Sequence, residues 1–93
     1  MSKLEGKVAL ITGAAVGLGE GIAEVYAKYG AKMCMVDLSP EVEKTADRLR
    51  KEYGADIITY VGNVADKAQM KEAAAKTAEK FGEINVCCCN AGV

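Results

Sequence analysis

Two kinds of apolar pattern alternate along this chain. Short, nearly unbroken apolar runs at residues 8–12, 32–37, 57–61 and 84–89 have the length of buried strands, and the third is rich in β-branched and aromatic residues. Between them apolar residues recur at helical steps: 18, 22, 25, 26 and 29, then 42, 46, 49 and 53, then 70, 73, 74, 77 and 81. These spacings predict helices over 18–29, 40–53 and 67–81, each burying the face that carries the repeat.

Local punctuation agrees with those limits. Gly30, Gly54 and Gly82 each follow an aromatic residue at the end of a helical pattern, where a left-handed C-terminal cap is expected. Ser39-Pro40 reads as an N-cap followed by proline at the first helical position, with Glu41 and Glu43 in the first turn. Asp66 reads as the N-cap of the third helix, with Gln69 three residues on in capping-box position. The order β-α-β-α-β-α-β predicts an α/β fold, a Rossmann-type parallel sheet covered by helices and forming part of a doubly wound fold. Two crossovers on one face and one on the other would leave apolar strand surface poorly covered and the fourth strand an open edge. The isolated chain is therefore expected to be marginally stable or self-associating.

Composition narrows the class. The 93 residues suffice for one small domain; they are 51% hydrophobic and 27% charged, with a net charge of −1. The twelve basic and thirteen acidic residues are interspersed, so no stripe is offered to nucleic acid or to a lipid surface. Met-Ser-Lys-Leu-Glu-Gly at the start is too short and polar for a secretory signal, and no run has the length of a membrane span; a cytoplasmic protein is expected. The four cysteines, at 34, 87, 88 and 89, come without any histidine or C-x-x-C pair, so neither a disulfide framework nor a metal site is expected. They read as small core hydrophobes.

The candidate chemistry lies at the carboxyl ends of the predicted strands, where a doubly wound sheet holds its ligand. Glycines at 13, 17 and 19 form a turn between the first strand and first helix, whose unpaired N–H groups and dipole suit a phosphate. Gly13 would make the tight turn, Gly17 let backbone approach a pyrophosphate and Gly19 let the helix pack closely on the strand. A glycine turn can also be purely structural, and no Gly-Lys-Ser/Thr follows to make a nucleoside-triphosphate loop. Asp37, 18 residues after Gly19, is placed to accept hydrogen bonds from an adenosine ribose diol, although an exposed loop aspartate would look the same. A carboxylate there repels a ribose 2′-phosphate, and Leu38 and Val16 supply no cation, which favours NAD over NADP. Asn63-Val64 ends the third strand beside the expected adenine, where the asparagine either meets the base or merely turns the chain. Asn90-Ala91-Gly92 ends the fourth, its small residues leaving room for a cofactor over the sheet.

At these residues the sequence resembles the short-chain dehydrogenase/reductase family, over the whole chain, as that family's N-terminal cofactor-binding half. Thr12-Gly13-Ala14-Ala15-Val16-Gly17-Leu18-Gly19 is similar to the family's Thr-Gly-x-x-x-Gly-x-Gly, and Lys7-Val8-Ala9-Leu10-Ile11 to its lead-in strand. Asp37 matches the acidic residue of members that use NAD, Asn63-Val64 an Asp-Val pair at the adenine, and Asn90-Ala91-Gly92 the end of Asn-Asn-Ala-Gly, with Cys89 in place of the first Asn. The resemblance implies that residues 1–93 are one half of a dinucleotide-binding domain. It places the cofactor against Gly13, Ala15, Val16, Gly17, Leu18, Gly19, Asp37, Leu38, Asn63, Val64, Asn90, Ala91 and Gly92. It also implies hydride transfer between the nicotinamide and a small-molecule alcohol or carbonyl, in an enzyme that is a homo-oligomer when complete.

The family's catalytic Tyr-x-x-x-Lys is missing, since Tyr26, Tyr29, Tyr53 and Tyr60 are followed four positions later by Gly30, Met33, Ile57 and Val64. The only serines are Ser2 and Ser39. No catalytic residue is assigned, and the chain by itself is expected to be inactive. A non-catalytic NAD-binding module or truncated product stays open as the alternative. A cysteine-based redox or metal protein, resting on residues 87–89, is a third.

Overall fold

A computed structural model describes residues 4–89. Seven elements follow in order: β1 (Val8–Thr12), α1 (Gly17–Lys28), β2 (Lys32–Asp37), α2 (Glu41–Tyr53), β3 (Ile57–Val61), α3 (Lys67–Phe81) and β4 (Val86–Cys89). The strands form one parallel sheet in the order β3-β2-β1-β4. This is a Rossmann-like arrangement, and its order reverses between β1 and β4. The register brings the strand ends level, with Thr12 opposite both Val36 and Cys89, and Asp37 opposite Val61. A ligand lying across those ends meets all four strands at one height.

The continuous apolar runs are explained by burial on both faces. Ala9, Ile11, Met33, Met35 and Ile57 pack with Val42, Ala46 and Leu49 of α2 and Ala23 and Ala27 of α1. Leu10, Cys34 and Val36 face the other way, onto Ala73 of α3. Two helices thus cover one face and one the other.

Local signals hold at the helix ends. Ser39 Oγ accepts the Glu41 N–H at 3.2 Å, and Gly54 and Gly82 take left-handed φ of 67° and 90° at the ends of α2 and α3. Asp66 Oδ1 accepts from the N–H groups of Ala68 (2.9 Å) and Gln69 (3.2 Å). The capping box is altered, however. Gln69 Oε1 accepts from Asn63 N–H at 2.7 Å instead of from Asp66, whose N–H donates to Asn63 O at 3.0 Å.

Three expectations are corrected. The first helix buries Gly19, Ala23 and Ala27, while Leu18 and Val25 of the expected face are 75% and 50% exposed. The reason is proximity: a Cβ on Gly19 would lie 1.8 Å from the Gly13 carbonyl oxygen, so only small residues fit along the line where α1 meets the sheet. The fourth strand begins at Val86, not residue 84, because Asn85 spends its N–H and Oδ1 on the carbonyl and N–H of Val8, both at 2.8 Å. Of the cysteines, Cys34 is buried, but Cys87 and Cys89 are exposed because α3 packs over β1 and β2 and leaves their face of the edge strand open.

Candidate functional site

The turn after β1 is held by its neighbours and not by itself. Gly13 takes φ +63°, which the chain needs in order to leave the strand sharply. The Ala14 N–H then donates to Val36 O at 3.2 Å, and the Ala15 N–H to Asp37 Oδ2 at 3.0 Å. The buried Thr45 hydroxyl of α2 donates to Ala15 O at 2.7 Å. Three bonds from two other elements therefore fix a loop of four residues.

Beyond this clamp the chain is extended at Val16 (φ −145°, ψ 167°) and enters α1 with no side chain capping its N–H groups. Gly17 opens the helix at φ +65°, and among the described residues nothing beyond its own stretch of chain lies within 4 Å of where a Cβ would be. Its glycine is required by the backbone angle. Gly19 is required by packing against Gly13. A helix start whose N–H groups have no side-chain cap is the arrangement that accepts an anion.

Asp37 is the hinge of the site. One carboxylate oxygen holds Ala15, the other accepts from Ser39 N–H at 2.9 Å, and its backbone carbonyl accepts from Gly62 N–H at 2.9 Å. The ends of β1, β2 and β3 are thereby joined through one residue. A cavity of about 300 Å³ opens beside it, lined by Gly13, Asp37, Leu38, Gly62, Asn63, Val64 and Ala65. Among the described residues the lining contains one carboxylate and no lysine or arginine. Arg48, on α2, is turned outward onto Glu20, Glu24 and Glu52 at 3.0, 3.6 and 2.8 Å.

Of the residues singled out in the sequence, Gly13, Asp37, Leu38, Asn63 and Val64 come together in this cavity. Val16, Gly17 and Leu18 are exposed on the turn and first residues of α1 and are not among the described lining of the cavity, while Ala15 and Gly19 are buried. Asn90, Ala91 and Gly92 lie outside the described residues. Sequence reasoning missed Thr45, Gly62 and Ala65. Thr45 lies on the buried face of α2, and Gly62 directly follows β3, where a Cβ would fall 2.7 Å from the Gln69 oxygen that holds Asn63. Neither Cys87 nor Cys34 is activated as a nucleophile: partial burial of the sulfur, then a contact with Cys89 at 3.6 Å, push the Cys87 thiol up to about 11, and burial raises that of Cys34.

Comparison with known proteins follows this geometry. Residues 7–93 match the family model described as short chain dehydrogenase. The oxidoreductase UcpA of Escherichia coli (strain K12) is 46% identical over 93 residues, covering 100% of this chain and 35% of that protein. L-Sorbose reductase from Gluconobacter frateurii, solved with NADPH and L-sorbose, superposes with a TM-score of 0.93 at 29% identity, over 99% of this chain and 35% of its own. Carveol dehydrogenase from Mycobacterium avium, solved with NAD, gives 0.92 at 31%, over 100% and 38%. The chain thus spans about a third of the length of the relatives it matches. Among the described residues no helix is long and apolar enough to cross a membrane.

Proposed function

The chain belongs to the short chain dehydrogenase family, and from that premise we propose that it supplies the cofactor-binding half of an NAD-dependent oxidoreductase. Residues 1–93 act as the N-terminal, dinucleotide-binding part of a Rossmann-type domain. The observation that carries this reading is the cavity at the ends of β1, β2 and β3, with Asp37 between the glycine turn and Asn63-Val64. The residues fit the group: the uncapped start of α1 suits a pyrophosphate, and Asp37 suits a ribose diol. The bound cofactor supplies hydride chemistry, while these residues bind and orient it.

The preference for NAD over NADP is supported by charge. Among the described residues of the cavity lining, a 2′-phosphate beside Asp37 meets a carboxylate and no cation. With no Tyr-x-x-x-Lys among the 93 residues, the proton-transfer step is assigned to residues outside them. The small-molecule alcohol or carbonyl substrate, the cytoplasmic setting and the homo-oligomeric assembly of such an enzyme belong to the same proposal.

Titration of the 93-residue chain with NADH and NADPH, followed by nicotinamide fluorescence, tests it. Saturable binding with NADH about tenfold tighter or more is expected, from the charge repulsion at Asp37. Failure to bind NADH refutes the cofactor reading, and equal or tighter NADPH binding refutes the preference. Hydride transfer to a carbonyl panel by the chain alone overturns the assignment of the proton step elsewhere.

A further inference from the structure

Two of the four cysteines form a pair that the cofactor reading does not use. Cys87 and Cys89 stand two residues apart on β4, so their side chains leave the same face of the sheet. Both are exposed, and their sulfurs lie 3.6 Å apart. Cys88, between them, faces the other way, with its sulfur 3.7 Å from the Tyr26 hydroxyl. Cys34 is buried, and Leu10, the register partner of both Cys34 and Cys87, separates those two. Among the described residues no third cysteine, histidine, aspartate or glutamate completes a metal-binding group with the pair.

Spacing decides what the two sulfurs can hold. Strand residues two apart have parallel side chains and Cα atoms ~6.6 Å from one another. A disulfide draws its Cβ atoms to about 3.5–4.5 Å, so direct closure would bend β4 out of its pairing with β1. An atom inserted between the sulfurs meets no such obstacle. Bonded to each at ~2.3 Å, the length of a zinc–thiolate bond, it subtends roughly 100°, an ordinary angle at a tetrahedral or pyramidal centre. Zinc, however, asks for four ligands and for ionised sulfur, whereas the pair supplies two, and the Cys87 thiol is pushed up to about 11. Trivalent arsenic that carries one organic group needs only two further bonds, and its net reaction consumes thiols together with their protons.

We propose that Cys87 and Cys89 form a dithiol site for monosubstituted trivalent arsenicals. With an organoarsenic oxide two arsenic–sulfur bonds form and the arsenic–oxygen bond is lost. Both thiol protons leave with that oxygen as water, and the arsenic stays trivalent, so no oxidant or reductant is required. The site does not depend on the dinucleotide reading, since no β4 residue is among the described lining of the cofactor cavity.

Equimolar phenylarsine oxide added to the native 93-residue chain, followed by excess glutathione and intact-mass measurement, tests it. One adduct per chain is expected, its mass that of a phenylarsenic group less two hydrogens. It should survive the monothiol and be stripped by 2,3-dimercaptopropanol. Cys87→Ser and Cys89→Ser are each expected to weaken retention by about a hundredfold or more, the advantage of making the second bond within one molecule. Cys88→Ser and Cys34→Ser should retain the adduct as the parent does. The parent needs no variant to fold, and an adduct that glutathione removes from it overturns the proposal. Retention in Cys87→Ser or Cys89→Ser, or its loss in Cys88→Ser with the parent's circular dichroism preserved, overturns it as well, because neighbouring cysteines on opposite faces would then be the ones that bind.

Discussion

Gly19→Ala is the sharpest perturbation of the glycine turn. An added Cβ falls 1.8 Å from the Gly13 carbonyl oxygen, 2.6 Å from its carbon and 3.1 Å from Ala14 Cα, and all three are backbone atoms. Ordinary contact begins at 3.4 Å. Rotamer changes relieve nothing, so α1 must retreat by about 1.6 Å from a close-packed face that includes Ala23 and Ala27. Overpacking of this kind costs ~1–3 kcal/mol, toward the upper end where backbone obstructs backbone. Better helix propensity returns ~1 kcal/mol. The net is a loss of about 2 kcal/mol, or roughly 8–16 °C in Tm for a domain of this size.

Two other glycines of the same helix provide the controls. At Gly21 a Cβ meets nothing within 4 Å, so Gly21→Ala should stabilise by ~0.5–1 kcal/mol. At Gly17 the space is also open but φ is +65°, so alanine there should cost ~1–2 kcal/mol from backbone strain alone. Urea unfolding of the three variants checks the order, with Gly21→Ala above the parent and Gly17→Ala and Gly19→Ala below it. Gly19→Ala as stable as the parent, with Gly21→Ala behaving as stated, would refute the claim that packing dictates this glycine.

Two further outcomes are expected. Thr45→Val keeps the shape of the side chain but strips the buried Ala15 carbonyl of its donor, so stability should fall by ~1–3 kcal/mol with an unchanged urea slope; an unshifted midpoint would remove Thr45 from the clamp. Tyr53 donates to Glu24 at 2.8 Å, and that hydrogen bond raises its pKa from 10.0 to about 12. A raised folded-state pKa means that the stabilisation is fully present below pH 10 and lost as pH climbs toward 12. The stability gap between the parent and Tyr53→Phe should accordingly close across that window, and urea midpoints that stay parallel through it would show the bond to be without effect.

Much of the fold was legible because its signals are local. Asp66 caps α3 through N–H groups two and three residues away, and Gly54 ends α2 by a backbone angle that glycine alone adopts freely. Where the signal depends on what approaches from elsewhere, periodicity misleads. Leu18 and Val25 fit the helical repeat as well as Ile22 does, yet the sheet comes so near at Gly19 that the buried line runs through alanines. Cys87 and Cys89 have strand alternation like that of Leu10 and Cys34, and only the placement of α3 decides which pair is covered.

The site divides along the same line. Gly13, Asp37, Asn63 and Val64 could be found because parallel strands end together and ligands gather there. Thr45 could not, since its reason for being there is the carbonyl of Ala15, 30 residues earlier in the chain. Asp37 shows what this separation hides. Its position suggests a ribose partner, but each of its oxygens already accepts a backbone N–H, one of them from the phosphate turn. A carboxylate has about four acceptor positions, so two remain for a diol while the other two hold the turn in shape. In the proposed reading, binding and positioning are thus carried by the same group. Replacing Asp37 to admit a 2′-phosphate therefore also releases Ala15, and a cofactor switch at this position needs a second residue, one able to accept the Ala15 N–H, to keep the turn in place.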